Sequence, residues 1–213
     1  MKQKIILFTI ILIVFGLGIS EVTAISDAET QANAILNKNN TDSDVLIVYF
    51  SRTGENYNVG NVEVGNTAMV ASYIKEYLKA DSFEIVPVDK YPDKYDECTK
   101  VASKEKDDNA RPQIQDKVDN FDSYKKVFIG YPIWWGDLPM IMYTFLEDYN
   151  FDGKDVYIFN THEGSGDAGT YSTVQSKLSK AHVNTDGLAL DGKTARSDDG
   201  KQQTIDWLKK QGL

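Results

Sequence analysis

The feature that most constrains the fold is an unbroken apolar run, Val45-Leu46-Ile47-Val48-Tyr49-Phe50, that stops at Ser51-Arg52-Thr53-Gly54. A strand with one wet face alternates apolar with polar residues, whereas an uninterrupted run demands burial on both faces. Helices must then cover the sheet above and below, and the following sequence supplies them. Asn66–Ala80 carries Ala68, Val70, Ala71, Ile74, Tyr77 and Leu78 at helical spacing. Ser82–Val88 reads as a second strand, which Pro87 places near an edge. Tyr95–Asn109 reads as a charged helix with a thin apolar stripe of Cys98, Val101 and Ala102. Lys126–Tyr131 is a third strand, followed by an apolar helix over Pro139–Tyr149 with proline in its first turn. Val156–Asn160 and Leu188–Leu190 read as the last strands, and Thr173–Ala181 and Gln202–Lys210 as the last helices. Strands alternating with helices, joined by right-handed crossovers, define an α/β domain of three layers around a five-stranded parallel sheet.

The N-terminus has a different character. Lys2 and Lys4 precede the apolar run Ile5–Ile19, and Val22-Thr23-Ala24 follows as a small-residue cleavage pattern. A charged start, a short apolar middle and a small-residue end predict a secretory signal peptide over residues 1–24. The alternative is an uncleaved N-terminal anchor, with residues 5–19 as the only membrane contact; the run is short of the ~20 residues of a comfortable span. No cysteine stands at the boundary to take a lipid. Residues 25–43, rich in Asn, Asp, Ser and Thr, read as a polar linker with at most a helical turn around Glu29–Leu36, so the domain is expected over 44–213. The predicted location is extracytoplasmic, secreted or membrane-tethered.

Charge and composition exclude several classes. Lys and Arg number 23 against 32 Asp and Glu, a net of −9, which disfavours nucleic acid as a partner. Losing residues 1–24 removes Lys2, Lys4 and Glu21 and makes the net charge −10. The single cysteine, Cys98, forms no intrachain disulfide, and with His162 and His182 as the only histidines no metal site is expected. One unpaired thiol also suits an oxidising compartment, where nothing remains for it to mispair with.

In such a sheet a ligand binds beyond the carboxyl ends of the strands, where strand order reverses. Three loops lie there. The first, Ser51-Arg52-Thr53-Gly54-Glu55-Asn56, leads on to Gly65-Asn66-Thr67 at a helix start, a set of hydroxyls and backbone N–H groups suited to an anion or, more plainly, to a turn and a helix cap. No Gly-Lys-Ser/Thr follows, which excludes a Walker-type ATPase. The second, Tyr131-Pro132-Ile133-Trp134-Trp135-Gly136, brings two tryptophans to a loop: one can bury beneath it while the other covers a flat ligand. The third, Thr161-His162-Glu163-Gly164-Ser165-Gly166, continues to Gly169. Gly164–Gly169 fits G-x-G-x-x-G literally, but a dinucleotide fingerprint belongs after the first strand, not the fourth. Nor does Ser165 sit in a nucleophile elbow, because Glu163 stands two residues before it. The segments Glu55–Gly65 and Tyr91–Arg111 exceed minimal connections and are candidate walls for this site.

Taken in order, these segments resemble the flavodoxin family from about Val45 to the C-terminus. The resemblance rests on Ser51-Arg52-Thr53-Gly54, the helix start Gly65-Asn66-Thr67-Ala68-Met69-Val70-Ala71, Tyr131–Gly136 and Thr161–Gly166. It implies the flavodoxin-like strand order 2-1-3-4-5 and FMN as cofactor at the switch point. The family's Ser/Thr-x-Thr-Gly-x-Thr phosphate turn is split here by Glu55–Gly65, so Asn56, Asn66 and Thr67 compete for its last place. By resemblance, Ser51, Arg52, Thr53, Gly54 and either Asn56 or Thr67 hold the FMN phosphate. Pro132, Ile133, Trp134, Trp135 and Gly136 cover one side of the isoalloxazine. Thr161, His162, Glu163, Gly164, Ser165 and Gly166 meet its pyrimidine edge, with His162 a candidate for assisting protonation. An acidic surround disfavours an anionic reduced ring, so a low potential is expected. Three functions stay open: an electron-transfer carrier docking basic redox partner proteins, an NAD(P)H-dependent quinone or flavin reductase passing electrons to a small-molecule acceptor, and a non-catalytic FMN-binding protein.

Overall fold

The computed structural model describes residues 26–40 and 42–213. The signal-peptide expectation for residues 1–24 lies outside the described residues. The chain builds a helix over residues 26–36 (α1) and then β1 (Val45–Tyr49), β2 (Gly54–Asn56), β3 (Gly60–Val62) and α2 (Asn66–Leu78). β4 (Asp81–Glu84), α3 (Tyr95–Asp107), β5 (Lys126–Pro132) and α4 (Met140–Asp148) follow. β6 (Asp155–His162), α5 (Thr170–Lys177), β7 (His182–Asp191) and α6 (Asp198–Lys210) complete it. The main sheet has five strands in the order β4-β1-β5-β6-β7, all parallel. This is the 2-1-3-4-5 order, with the reversal between β1 and β5.

Every residue of β1 is buried, as its unbroken apolar run requires. Its side chains alternate between two cores. Leu46, Val48 and Phe50 join Val127, Ile129, Tyr131 and the apolar faces of α4 and α5. Val45, Ile47 and Tyr49 join Phe128, Phe159 and the residues of α2 and α6.

Three expectations are corrected, and one segment the sequence left open takes a definite form. The second strand ends at Glu84 rather than Val88, because Pro87 lacks an N–H; residues 86–88 turn instead to residues 113–115, where Val88 N–H donates to Gln113 O at 2.9 Å and Gln115 N–H to Val86 O at 2.9 Å. β7 has 10 residues instead of three. The insertion Glu55–Gly65 holds the small antiparallel hairpin β2–β3. Finally, residues 26–36 are helical and packed, not a solvated linker: Ala28, Ala32 and Leu36 form a four-residue-spaced stripe against the α2–α6 core.

Two polar anchors hold α1. The Glu29 carboxylate pairs with Arg196, the two side chains being only 10% and 8% exposed. Lys75 Nζ donates to Leu36 O (3.0 Å), Asn39 Oδ1 (2.8 Å) and Ser82 Oγ (2.7 Å). Burial pulls the Lys75 ammonium down to about 8, against the opposing field of Asp81. The unfolded chain keeps that proton to about pH 10.4, so between 8 and 10 the unfolded state binds more protons and stability rises with pH. Buried tyrosines such as Tyr49, Tyr131 and Tyr171, whose hydroxyls burial pushes up, act in the opposite sense near pH 10, so the test is a difference. The urea midpoint of the wild type should gain on that of Lys75→Met across this window, and parallel pH profiles would contradict the assignment.

Candidate functional site

Beyond the carboxyl ends of β1, β5 and β6 lies a cavity of ≈ 350 Å³, within the size range of small-molecule sites. All three loops singled out in the sequence border it. The first contributes Ser51, Arg52, Asn56, Asn66 and Thr67, the second Pro132, Ile133, Trp134 and Trp135, and the third Thr161, His162 and Glu163.

The start of α2 is shaped by close contacts. Ser51 Oγ accepts the Ala68 N–H at 3.0 Å, capping the helix from outside. Gly65 makes this approach possible: a Cβ there would lie 2.3 Å from Ser51 Oγ and 2.5 Å from Arg52 O. The next two residues, Asn66 and Thr67, open the helix, and their N–H groups have no intrahelical acceptor. The buried Thr67 hydroxyl meets that of Thr161 at 2.8 Å, fastening the α2 start to the end of β6.

Arg52 occupies the position expected of a phosphate ligand, but its guanidinium is spent on carbonyls. Nη2 donates to Pro92 O (2.9 Å) and Asp93 O (2.6 Å), Nε to Pro92 O (3.2 Å), and Nη1 to Glu55 O. Arg52 therefore braces the β2–β3 hairpin against the segment before α3. Asn56 Nδ2 likewise turns back to Arg52 O and Gly54 O. Thr53 lines a smaller neighbouring cavity beside Tyr91, and Gly54 packs on the Asp93 carbonyl. Neither borders the main cavity.

The two tryptophans both line the cavity and differ in how they are held. Trp134 stands edge-on to Phe50 (5.3 Å) and Tyr91 (5.0 Å), rooted in the core. Trp135 is 58% exposed. Trp134 and Asp137 exchange backbone hydrogen bonds of 2.9 and 3.0 Å across Trp135 and Gly136, whose φ values are 52° and 70°. Positive φ at both central positions is the two-residue hairpin geometry that glycine accepts readily and tryptophan seldom does. Contacts from α3 hold it there: Trp135 Nε1 donates to Thr99 O (3.0 Å), and Lys106 Nζ donates to Trp135 O (2.6 Å). Gly136 shapes the turn without lining the cavity.

In the third loop only Thr161, His162 and Glu163 reach the cavity; Gly164, Ser165 and Gly166 do not line it. His162 Nδ1 accepts the Gly164 N–H at 3.0 Å. The Glu163 carboxylate accepts from Asn58 Nδ2 and Gly192 N–H, each at 3.2 Å, tying the hairpin tip to the end of β7. Beneath the loop, Tyr171 donates to Asn160 Oδ1 (2.5 Å), Asn160 Nδ2 to Gly166 O (3.1 Å) and Tyr131 to Thr170 Oγ1 (3.0 Å).

The two long segments supply the remaining wall: Tyr57 from the hairpin, and Tyr95, Cys98, Thr99 and Ala102 from α3. Tyr57, 54% exposed, lies over Tyr95 with ring centroids 5.6 Å apart. These side chains had no motif of their own; connection length was the signal that marked their segments. Burial pushes the Cys98 thiol up while Arg52 opposes it, which disfavours the thiolate in this wall.

Fold and site together define a doubly wound α/β protein with a ligand pocket at its switch point. The flavodoxin family model matches residues 44–211, and the chain belongs to that family. Among solved structures, it is similar to a flavoprotein of Bacteroides eggerthii (27% identity, TM-score 0.63, 79% of this chain and 98% of that one). A flavoprotein of Bacteroides uniformis is comparable (26%, TM-score 0.62, 78% and 97%). A flavoprotein of Lactobacillus acidophilus in complex with FMN shares the fold (24%, TM-score 0.54, 70% and 93%). A search of the curated proteins returned no match.

Proposed function

We propose that this chain binds FMN in the ≈ 350 Å³ cavity and serves as an electron-transfer carrier outside the cytoplasm. One observation carries the cofactor assignment: Asn66 and Thr67, whose helix N–H groups have no intrahelical acceptor, border the same cavity as an aromatic wall of Trp134, Trp135 and Tyr57. An anion at one end and a flat apolar ring at the other is the chemistry this arrangement accepts. The phosphate falls to Asn66, Thr67 and the Ser51 hydroxyl, with Arg52 as their brace. The ring falls to the tryptophan loop, with Thr161–Glu163 along its edge. FMN, when bound, supplies a ring that takes up and releases electrons. The protein's own part is to fix that ring, exclude water from its buried face and surround it with negative charge, Glu163 included.

Two features favour a carrier. The net charge of −9 suits docking to basic redox partners. The N-terminal segment, with its charged start and apolar run, supports export, which fits a protein holding one unpaired cysteine. The exposed Tyr57 and Trp135 favour the second reading, a reductase with a planar acceptor at the open ring face.

One experiment separates the two. Loaded with FMN and reduced, the protein should pass electrons to a basic haem protein such as cytochrome c, about tenfold more slowly at physiological than at low ionic strength. Steady turnover of NADH or NADPH with a quinone, together with salt-independent exchange, would overturn the carrier.

A further inference from the structure

The residue that positions the start of α2 lies outside the cavity and comes from the far end of the chain. Arg196 Nη1 donates to Val64 O at 2.7 Å and to Asn66 Oδ1 at 3.3 Å, either side of Gly65. Its Nη2 pairs with Glu29 on α1. The guanidinium thus spans from the N-terminal helix to the residue that opens α2. Its own position is fixed by a turn after β7: Asp191 accepts from Lys193 N–H, Thr194 N–H and the Thr194 hydroxyl, winding residues 194–196 into a single 3-10 turn. Gly192 completes the fit, since a Cβ there would meet both Glu163 Oε1 (2.4 Å) and Asn66 Nδ2 (2.5 Å).

We propose that Arg196 is a positioning residue for the phosphate end of the cofactor site, and that α1, through Glu29, is the element that holds it in place. The inference rests on the reading of this cavity as an FMN site. A guanidinium satisfies three acceptors in one plane, whereas lysine offers a single point of attachment. Withdrawing it frees the Val64–Asn66 segment, which leads into the Asn66 and Thr67 N–H groups that face the anion. The tryptophan loop and α3, which cover the face of the ring, make no hydrogen bond to Arg196, Glu29 or Asp191.

The distinguishing measurement compares FMN with riboflavin, which has the same ring and no phosphate. Dissociation constants for both are measured by flavin fluorescence with the full chain, Arg196→Met and Arg196→Lys, each checked for folding by circular dichroism. Arg196→Met should weaken FMN about tenfold and leave riboflavin within about twofold. Arg196→Lys keeps the charge opposite Glu29, so it remains folded if the methionine variant does not, and should lose about threefold for FMN alone. An unchanged FMN-to-riboflavin ratio in either folded variant, or an equal loss for both ligands, would overturn the proposal. Failure of the wild type to bind FMN sinks the cofactor reading instead.

Discussion

Gly65→Ala should abolish tight FMN binding. The added Cβ would stand 2.3 Å from Ser51 Oγ and 2.5 Å from Arg52 O, so the loop after β1 and the start of α2 must separate. Separation costs the Ser51–Ala68 hydrogen bond and moves the Asn66 and Thr67 N–H groups away from the anion. Losing two charge-assisted hydrogen bonds corresponds to a loss of about 100-fold or more in affinity. Strain in the surrounding backbone should lower stability by about 1–3 kcal/mol. Flavin fluorescence and urea unfolding measure the two effects; unchanged affinity would show that the phosphate lies elsewhere.

Glu29→Ala tests whether residues before 44 belong to the folded unit. It leaves Arg196 buried and short of its counter-charge. Removing one partner of a buried pair destabilises by about 3–5 kcal/mol, with the residual Val64 and Asn66 contacts placing the expectation near the lower figure. The loss should appear as one cooperative transition at lower urea. A change under about 0.5 kcal/mol, as at an ordinary surface site, would return α1 to the status of a linker.

Much of this architecture was legible because burial leaves a strong sequence pattern. The apolar runs at Val45–Phe50 and Lys126–Tyr131 had to be central strands, and they are the two that flank the switch point. Only three residues of β7 carry a strand pattern in the sequence because it closes the sheet edge: His182, Thr185 and Asp186 stay exposed and carry no apolar period. The α1 stripe of Ala28, Ala32 and Leu36 was visible but thin, and its stabilising partners, Lys75 and Arg196, lie far along the chain. The site divides in the same way. Strand ends and loop chemistry located Ser51, Thr67, the Trp134–Trp135 pair and Thr161. They did not reveal that Arg52 turns to the Pro92 carbonyl or that Tyr57 stacks on Tyr95, because those contacts join segments about 40 residues apart, nor that Asn56 folds back locally onto Arg52 O and Gly54 O within its own turn.

The most direct test of the account is a titration of the purified protein with FMN. The prediction is one equivalent bound at about micromolar affinity or tighter, with quenched flavin fluorescence and a shifted absorbance band as the ring meets the tryptophan loop. Free-flavin spectra that persist in the presence of excess protein would contradict it.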